Sequence, residues 1–588
     1  MTKPGEKRMK KTAVLRRILE YLGKHWLLLL LAALLTGAAN VLSLIAPDLS
    51  GKAIDAIIGP GNVDFGQVFS YAGRMLLCYG ASAALSFALS LLMIHISRKV
   101  VYQMRRDAFE HLADLPTAYF DKNSAGDLVS RLSYDIDTIN ASISNDLVQI
   151  AAGSITVIGS AVMMFRYAPV LMLVFAVTVP CLIFFTRYRV RKVKPLFRRR
   201  SAKLGELNGY VEEMLSGLRT IRAYSREEEM LSRFDRHNDE AVEAYYQADY
   251  QGSVVGPSVN FINNLSLSLI SMFGALLFLK DPGFTIGHLS SFVQYSRRFS
   301  GPINETANII SEIQSAFSAA ERVFRLLDED PETLRDEGTE PMTGVQGRVE
   351  LDRIDFSYVP GVPVLKNISA VIERGSTTAI VGPTGSGKTT IINLLMRFYD
   401  PDSGQIRLDG RDTRTAPLKD VRRSFAMVLQ DTWLFRGTIA ENIAYGAGEV
   451  SPEKIRRAAQ AARIDGYIMS LPQGYETVLD EDGLNISKGQ KQLLTIARAI
   501  LMDCPVLIMD EATSNVDSQT ERRLQEAMQE VMKGRTCILV AHRLSTIQNA
   551  DQILVIRDGI LTECGRHEEL LQKPGGFYRA LYNSQFES

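Results

Sequence analysis

The chain has 588 residues, with 66 basic and 66 acidic side chains and a formal net charge of zero at pH 7. That length excludes a single small domain and leaves either several soluble domains or a membrane part joined to a soluble part. The cysteines are scattered without CxxC spacing, which argues against metal and disulfide roles. They are Cys78, Cys181, Cys504, Cys537 and Cys564.

Long runs without a charged residue fill the first half of the chain. A helix needs about 20 apolar residues to cross a bilayer, and each run has about that length. A buried core helix could explain any single run, but five in one half favour a membrane domain. The runs are 26–46, 75–94, 147–165, 167–186 and 250–279.

The distribution of lysine and arginine predicts the topology. Basic residues crowd the N-terminus and the segments 98–106 and 187–200, whereas the loops between the other runs are poor in them. This places the N-terminus in the cytoplasm. Because the C-terminal half is also predicted to be cytoplasmic, the number of spans must be even, and a sixth, more polar helix is expected from Phe284 to about Ala320. Its polar residues should face a partner helix or a watery cavity; they are Gln294, Arg297, Arg298, Asn304 and Glu305.

Two cytoplasmic segments, 97–146 and 187–253, are too long and too helical for simple turns. At about 1.5 Å per residue, twenty extra residues carry a helix some 30 Å beyond the bilayer. Each segment has a break at its middle, at 119–131 and at 214–228. Ordinary helix-hairpin turns are the alternative, but they do not explain the length. We therefore expect these two arms to contact the C-terminal half.

The composition changes after Leu327, where residues 328–342 are acidic and turn-rich, as in a linker. Short apolar runs then alternate with amphipathic ones, which is typical of an α/β domain. The strand pattern at 379–381 runs directly into GPTGSGKTT and then into a helical pattern. This order fits the G-x-x-x-x-G-K-[ST] phosphate loop, so we predict nucleotide binding. The candidate residues are Gly382, Thr384, Gly385, Ser386, Gly387, Lys388, Thr389 and Thr390.

Three further strand ends supply polar groups to the same site. The apolar strand VLIMD ends at Asp510, a predicted Mg²⁺ ligand beside Thr389, and is followed by Glu511, which can orient the attacking water. FAMVLQD presents Gln430 to the metal and the water, and TCILVAHR presents His542 to the γ-phosphate. Taken alone, each of these residues is more often a solvated polar side chain.

Two features outside the strands complete the candidate site. Tyr358 could stack on an adenine ring, although core packing explains it equally well. In NISKGQKQLLTIARAI, residues 485–500, Ser487 is a good N-cap and Gly489 leaves the backbone open. A helix N-terminus of this kind attracts anions.

With these motifs in order, the chain resembles the ATP-binding cassette exporters over nearly its whole length. The resemblance covers the phosphate loop, Gln430, the signature stretch 486–490, Asp510-Glu511, the loop 514–517 and His542, and in the membrane half YFDKNSAGDLVSR and FVQYSRRFSGPI. It implies an α-helical transmembrane domain of six spans at 1–322, as in type IV exporters. A linker at 323–345 and an α/β P-loop nucleotide-binding domain at 346–588 follow.

The resemblance also implies a dimer. Two cassettes close head to tail, so that Ser487, Gly489 and Gln490 bind the γ-phosphate of an ATP held by a second chain. The first arm reaches a cassette around 124–137, and the second docks on the partner's around 217–224. Lys388, Gln430, Glu511 and His542 are the implied catalytic residues, with Mg²⁺ at Thr389, Gln430 and Asp510.

Lys488 and Ile486 depart from the family's usual Leu-Ser-Gly-Gly-Gln, and LDEDG replaces the usual Gly-Glu-Arg-Gly upstream. Such changes look like those in heterodimeric bacterial exporters, where one chain carries an altered signature. A heterodimer is therefore favoured over a homodimer, although symmetric dimers also tolerate variants at this position.

The resulting prediction is ATP-driven export, or inner-to-outer leaflet translocation, of an amphipathic drug, lipid or peptide across the plasma membrane, with both termini cytoplasmic. A soluble cassette ATPase acting on nucleic acid is disfavoured by the membrane half. The sequence does not exclude an alternative function as an ATP-gated channel or sensor. An importer is less consistent with the fusion of the membrane and ATP-binding parts in one chain. Candidate cavity residues, each equally explicable by helix packing, are Asn40, Asn260, Phe261, Asn263, Asn264, Ser268, Met272 and Phe273.

Overall fold

A computed structural model describes residues 9–59, 62–429, 432–480, 486–510, 518–540 and 547–586. The chain divides into two compact units. The helical unit comprises Met1–Phe109 and Leu128–Asp328, and the α/β unit comprises Glu110–Asp127 and Glu329–Ser588. The middle of the first arm therefore belongs to the α/β unit, although it lies far from it in sequence.

The N-terminal half is built from helices, joined by a small hairpin of β1 (Ile57–Gly59) and β2 (Asn62–Val63). Two π-helical segments, Arg131–Asp135 and Ser142–Asp146, interrupt the region between α5 and α7. The helices are α1 (Lys11–Gly23), α2 (Trp26–Asp55), α3 (Phe65–Ala113), α4 (Thr117–Lys122), α5 (Ala125–Ser130), α6 (Ile136–Ala141), α7 (Leu147–Tyr167), α8 (Met172–Ser216), α9 (Leu218–Ala223), α10 (Glu227–Ser253), α11 (Val255–Lys280) and α12 (Ile286–Leu327).

Among the described residues, five helical stretches are long and apolar enough to cross a membrane. They correspond to the five uncharged runs. The predicted sixth helix is present as α12, but it is too polar to be one of these five.

Two polar side chains of α12 face a neighbouring helix, as predicted. The side-chain amide of Gln294 donates to Ser50 Oγ at 3.1 Å, and Arg298 Nη1 donates to the carbonyl of Ser43 at 2.9 Å. Both acceptors lie on α2. Arg297 and Glu305 are exposed, and the side chain of Asn304 lies outside the described residues.

Small residues bring the helices of this unit close together. A Cβ on Gly51 of α2 would lie 2.5 Å from the carbonyl oxygen of Gly287 of α12. Close backbone approach of this kind is how helices pack in a bilayer, where the hydrophobic effect between them is weak. The α12 helix packs against α2 and α7, and α8 packs against α10 and α11.

The two arms are continuous extensions of the long helices, as their length predicted. Each predicted break is a six-residue helix, α4 in the first arm and α9 in the second. Among the residues of α9, none is buried. Its docking on a partner stays a prediction.

The α/β unit contains a six-stranded sheet in the order β14-β13-β5-β12-β11-β8 and a four-stranded antiparallel sheet in the order β4-β3-β6-β7. In the larger sheet every pairing is parallel except that of β13 with β14. The strands are β3 (Val349–Phe356), β4 (Leu365–Ile372), β5 (Thr377–Val381), β6 (Ser403–Leu408), β7 (Arg411–Asp412), β8 (Phe425–Val428), β9 (Gly437–Thr438), β10 (Val478–Leu479), β11 (Val506–Asp510), β12 (Thr536–Val540), β13 (Gln552–Arg557) and β14 (Ile560–Gly565).

The central strands β5, β11 and β12 are apolar along nearly their whole length and are buried. Such runs are typical of a parallel sheet covered by helices on both faces. The helices are α13 (Lys388–Leu395), α14 (Leu418–Arg423), α15 (Ile439–Ala444), α16 (Pro452–Ala461), α17 (Asp465–Ser470), α18 (Lys488–Met502), α19 (Ser518–Met532), α20 (His567–Gln572) and α21 (Phe577–Phe586).

Candidate nucleotide site

The phosphate loop joins the end of β5 to the start of α13, in the strand, loop and helix order that its sequence predicts. Gly387 has φ +103°, a left-handed conformation that favours glycine, and a Cβ there would lie 2.6 Å from Leu365 Cδ2. A side chain on Gly382 would overlap the carbonyl of Ile556 and the hydroxyl of Ser386. The glycines therefore keep the loop backbone open, with its N–H groups available to an anion.

Lys388 is the first residue of α13 and is 7 % exposed. Its Nζ donates to the carbonyl oxygens of Gly382 at 2.8 Å and Pro383 at 3.0 Å. The neighbouring Ser386 hydroxyl is buried without a hydrogen-bond partner in the described part of the chain. A curled loop with a buried cation and an orphaned hydroxyl fits a phosphate group, whose oxygens accept from both.

The remaining loop residues divide into exposed and buried ones. Thr384, Gly385 and Thr389 are exposed, and Thr390 is buried. Thr389 therefore lies where a hydroxyl can meet a metal ion held by bound phosphates, whereas Thr390 faces the interior. There its Oγ1 accepts from the hydroxyl of Tyr358 at 3.3 Å.

Tyr358 combines the two roles considered for it. Its ring packs edge-on against Phe356 and Tyr399, with centroids 4.8 and 5.0 Å apart, and its hydroxyl accepts from Asn393 Nδ2 at 3.0 Å. The residue still exposes 38 % of its surface. The core contacts thus hold the ring beside α13, and stacking on a base stays a prediction.

Asp510 is the last residue of β11 and is half-buried. Strand pairing aligns Asp510 with Val540 on β12, and Val540 with Ile380 on β5. Adjacent strands are about 4.8 Å apart, so Asp510 lies roughly 10 Å from Ile380 at the edge where the phosphate loop begins. This is the edge of a parallel sheet at which ligands bind.

The helix α18 begins at Lys488, directly after the predicted N-cap. Ser487 Oγ accepts from the backbone N–H of Gln490 at 3.3 Å, and the Gln490 side chain accepts from the N–H of Ser487 at 2.8 Å. Gly489 is buried, and Lys488 is exposed. The capping box orders the helix end and leaves the lysine projecting from it.

Several predicted site residues lie outside the described part of the chain. They are Gln430, Glu511, His542 and the loop 514–517. Their strands β8, β11 and β12 are adjacent and parallel, so the chain leaves all three at one edge of the sheet.

A contact that the sequence pattern did not reveal lies beside Tyr358. The hydroxyl of Tyr399 donates to the carboxylate of Asp121 on α4, in the first arm, and the N–H of Glu332 donates to the carbonyl of Asp114 at 2.7 Å. Both contacts fall within the α/β unit. Asp121 lies inside the predicted arm break at 119–131 and just before the stretch 124–137, so the arm's side of the contact was expected, whereas no sequence signal pointed to Tyr399.

The candidate cavity residues of the helical unit have mixed environments. Asn40 donates to the carbonyl of Thr36 at 2.7 Å and accepts from Thr156 Oγ1 at 3.1 Å, which is helix packing. Asn263 is half-buried. The others are exposed in the single chain: Asn260, Phe261, Asn264, Ser268, Met272 and Phe273.

Comparison with protein families gives two matches. The family model described as "ABC transporter transmembrane region" matches residues 26–303, and that described as "ABC transporter" matches residues 365–514. The first match spans the apolar helices up to the middle of α12. The second begins at β4 and contains the phosphate loop, α18 and Asp510.

Individual relatives align over both halves. The chain is 39% identical over 573 residues to the "Uncharacterized ABC transporter ATP-binding protein YfiC" of Bacillus subtilis (strain 168), covering 97% of this chain and 94% of the relative. It is 40% identical over 531 residues to the "Fatty acid ABC transporter ATP-binding/permease protein" of Mycobacterium bovis, covering 90% and 83%. An "ATP-dependent lipid A-core flippase" of Hahella chejuensis is 35% identical over 578 residues, covering 97% of each chain.

Proposed function

The chain belongs to the ABC transporters, and from this premise we propose that it is one half of an ATP-driven exporter, or leaflet-to-leaflet translocator, of an amphipathic solute of lipid type. The observation that carries the proposal is the fusion, in one chain, of the transmembrane region to an ordered phosphate loop. The relatives named for a fatty acid and for lipid A-core support a lipid-like substrate. An amphipathic drug or peptide is the alternative substrate, because it has the same combination of polar and apolar parts.

ATP with Mg²⁺ is the cofactor that the site fits. Bound there, it supplies a γ-phosphoryl group whose hydrolysis releases free energy. With ATP and Mg²⁺ bound, Lys388 would neutralise phosphate charge, the loop N–H groups and Ser386 would donate to phosphate oxygens, and Thr389 and Asp510 would hold the metal. Glu511 orients and polarises the attacking water, assisted by Gln430 and His542.

The exposed N-terminus of α18 points to a second subunit. Ser487, Gly489 and Gln490 bind the γ-phosphate of an ATP that a partner chain holds, so both chains must meet before either site is complete. Lys488 places a long side chain in the signature stretch where the family usually has glycine. Since altered signatures of this kind resemble those of heterodimeric exporters, the partner is a different half-transporter. The arms transmit the closing and reopening of the two cassettes to the transmembrane helices. Both termini of the chain lie on the side of the cell membrane at which ATP binds.

The function is tested by reconstituting the chain together with its co-purified partner in proteoliposomes and measuring ATP-dependent movement of a labelled phospholipid between leaflets. Glu511→Gln should retain ATP but stop turnover, and Lys388→Ala should lose ATP binding. A normal rate of ATP hydrolysis by Glu511→Gln would show that Glu511 does not activate the attacking water. Equal rates of lipid movement with and without ATP would contradict the proposal that the protein is an ATP-driven pump.

The oligomeric state has its own measurement. Purification of the tagged chain from its native membrane should bring down a related but different half-transporter. Full hydrolysis and transport by this chain expressed alone would establish a homodimer instead.

A further inference from the structure

A cavity lined by cations lies between the junction of α1 with α2 and the middle of α3. It has a volume of about 400 Å³, and no residue that lines it is acidic. Its basic lining residues are Lys24, His25, Arg98 and Lys99. The two lysines and the arginine are exposed, and none of them pairs with an acidic side chain in the described part of the chain. The cavity therefore has positive charges that no carboxylate of the described chain compensates.

An acid does lie nearby, but neutral donors occupy it. The hydroxyl of Tyr21 donates to Asp107 Oδ2 at 2.8 Å, and Gln103 Nε2 donates to Asp107 Oδ1 at 2.6 Å. Tyr21 and Gln103 line the cavity, whereas Asp107 does not. Lys24 Nζ lies 5.3 Å from the centroid of the Tyr21 ring, which is a cation–π contact. These contacts order one wall of the cavity and leave its cations without an anion.

Local helix structure accounts for one of these cations and not for the other two. Lys24 is the C-cap of α1, where a positive charge is stabilised by the unpaired carbonyls of the helix end. Arg98 and Lys99 lie in the interior of α3, far from either end. An acid three or four positions away could pair with them on the helix surface. The positions at that spacing, 94–96 and 101–103, carry Ile, His, Ile, Val, Tyr and Gln.

The cavity lies at the ends of two apolar spans. The uncharged run of α2 begins at Trp26, directly after His25, and that of α3 ends at Ile94, just before Arg98. Trp26 is 61 % exposed and Ile94 is 64 % exposed. Tryptophan is typical of the boundary between membrane and water, and the basic residues predict that this is the cytoplasmic boundary. A ligand in the cavity therefore has apolar helix surface on one side and water on the other.

The helix α1 is fixed against the rest of the helical unit. Leu22 is 3 % exposed, and the ring of Tyr21 stacks on Phe324 of α12 with centroids 6.3 Å apart. Arg17 Nη2 pairs with Asp328 Oδ1 at 2.7 Å, at the end of α12. Because packing and an ion pair hold α1 in place, the cavity beside it is formed before any ligand binds.

We propose that this cavity binds the phosphate headgroup of an anionic phospholipid of the surrounding leaflet, with the acyl chains along the exposed apolar surfaces of α2 and α3. The inference goes beyond the proposed function, because it assigns no step of transport to this lipid. Basic pockets beside transmembrane helices suit phosphate headgroups through charge and hydrogen bonding. Free phosphate has the same chemistry, but the position of the cavity at the ends of two apolar spans favours a lipid.

The fluorescence of Trp26 provides the test, because this side chain lies at the start of α2 beside the cavity. The complex with its co-purified partner is placed in nanodiscs of phosphatidylcholine without nucleotide. A small fraction of the lipid is phosphatidic acid, whose headgroup is a phosphate alone, brominated near the headgroup end of its acyl chains. Bromine quenches tryptophan at short range, and the signal lost in Trp26→Phe is the contribution of Trp26. Brominated phosphatidic acid should quench that signal more strongly than the same fraction of brominated phosphatidylcholine.

Variants of the cavity show whether its charges cause the preference. Arg98→Gln combined with Lys99→Gln should weaken the apparent affinity for phosphatidic acid by about tenfold or more, because each cation near an anionic lipid contributes about fivefold. Lys99→Arg keeps the charge and should keep the affinity. Arg187→Gln combined with Arg191→Gln removes two exposed cations from α8 and is the matched control. It should leave the quenching of Trp26 unchanged.

Three results would overturn the proposal. The first is equal quenching by the two brominated lipids, and the second is unchanged quenching when Arg98 and Lys99 are replaced. The third is an equal loss of quenching in the α8 control, which would show diffuse attraction instead of a site. Inorganic phosphate in the buffer distinguishes the two sources of the ligand: it should not relieve the quenching, and relief would show that the cavity takes the free ion. All of these measurements omit ATP, so they stand whether or not the complex moves lipid.

Discussion

The hydroxyl of Tyr399 donates a hydrogen bond to the carboxylate of Asp121, which joins the cassette to the short helix α4 of the first arm. Burial of the ring, together with the Asp121 charge, raises the pKa of Tyr399, so the hydroxyl stays protonated at any physiological pH. The same ring packs edge-on against Tyr358, whose hydroxyl donates to Thr390 on α13. A continuous series of contacts therefore connects the arm with the helix that follows the phosphate loop.

Removing the hydrogen bond between Tyr399 and Asp121 should weaken communication along this series. Tyr399→Phe keeps the ring against Tyr358 and deletes the donor, and Asp121→Asn removes the charge of the acceptor. We expect each variant to reduce the stimulation of ATP hydrolysis by transported amphiphile, with a coupling free energy of about 1 kcal/mol in the double-mutant cycle. ATPase assays with and without amphiphile measure this.

Tyr475→Phe is the matched control for that cycle. Tyr475 donates to Asp465 Oδ1 at 2.8 Å in the same unit, without any residue of the arm. Its loss should affect stability by a similar amount and leave the stimulation intact. Equal loss of stimulation in both tyrosine variants would show that the effect comes from general destabilisation of the cassette.

Tyr358 should contribute to ATP affinity through its ring more than through its hydroxyl. Tyr358→Leu removes the face available for a base, and we expect the dissociation constant of ATP to rise by up to about tenfold, because aromatic stacking contributes about 0.5–1.5 kcal/mol. Tyr358→Phe should change it by about twofold or less. Calorimetric titration with ATP and with inorganic tripolyphosphate separates the two contributions, since tripolyphosphate has no base and should bind both variants as it binds the native protein. Weaker tripolyphosphate binding would indicate a disturbed phosphate loop.

Local patterns predicted most of the architecture because its signals are short-range. The uncharged runs became the apolar helices, the two arm breaks became α4 and α9, and the strand patterns before Gly382 and Asp510 became β5 and β11. The position of Ser487 was readable because a capping box spans only four residues. The end of α12 was not predicted correctly, because the helix continues to Leu327, beyond the expected end near Ala320.

The contacts that depend on distant parts of the chain could not be predicted in this way. Tyr399 and Asp121 are 278 positions apart, and nothing near either residue indicates the other. The π segments that end at the buried Asp135 and Asp146 lie against α12, and helical periodicity alone predicts an ordinary α-helix there. Sequence pattern predicts elements, whereas side-chain pairing between elements requires their three-dimensional arrangement.

Ser487 should have one role in its own helix and another toward the partner. Ser487→Ala removes the acceptor for the N–H of Gln490, and loss of such a cap costs about 1 kcal/mol. It should also weaken ATP-dependent association of the two cassettes, because the hydroxyl is a predicted donor to the partner's γ-phosphate. Cross-linking or light scattering of the full complex, with and without ATP, measures association.

Thr438→Ala provides the comparison for this variant. Thr438 caps α15 with the same box, its Oγ1 accepting from the N–H of Glu441 at 3.1 Å. It should cost similar stability without changing ATP-dependent association. If the two alanine variants associate equally well with ATP, the signature serine has only its capping role.

The close approach of α2 to α12 gives a test of packing in the helical unit. Gly51→Ala places a methyl group 2.5 Å from the carbonyl of Gly287 and still closer to the hydroxyl of Ser291, which donates to the carbonyl of Pro47 at 2.9 Å. Both are buried contacts, so the two helices must separate or Ser291 must give up its hydrogen bond. We expect a destabilisation of about 1–3 kcal/mol, typical of overpacking. Gly37→Ala lies on the same helix with nothing within 4 Å of the added methyl, and it should be neutral or slightly stabilising. Thermal unfolding of the detergent-solubilised protein should give a lower midpoint for Gly51→Ala alone, and equal midpoints would mean that α2 and α12 are not in contact at Gly51 and Gly287.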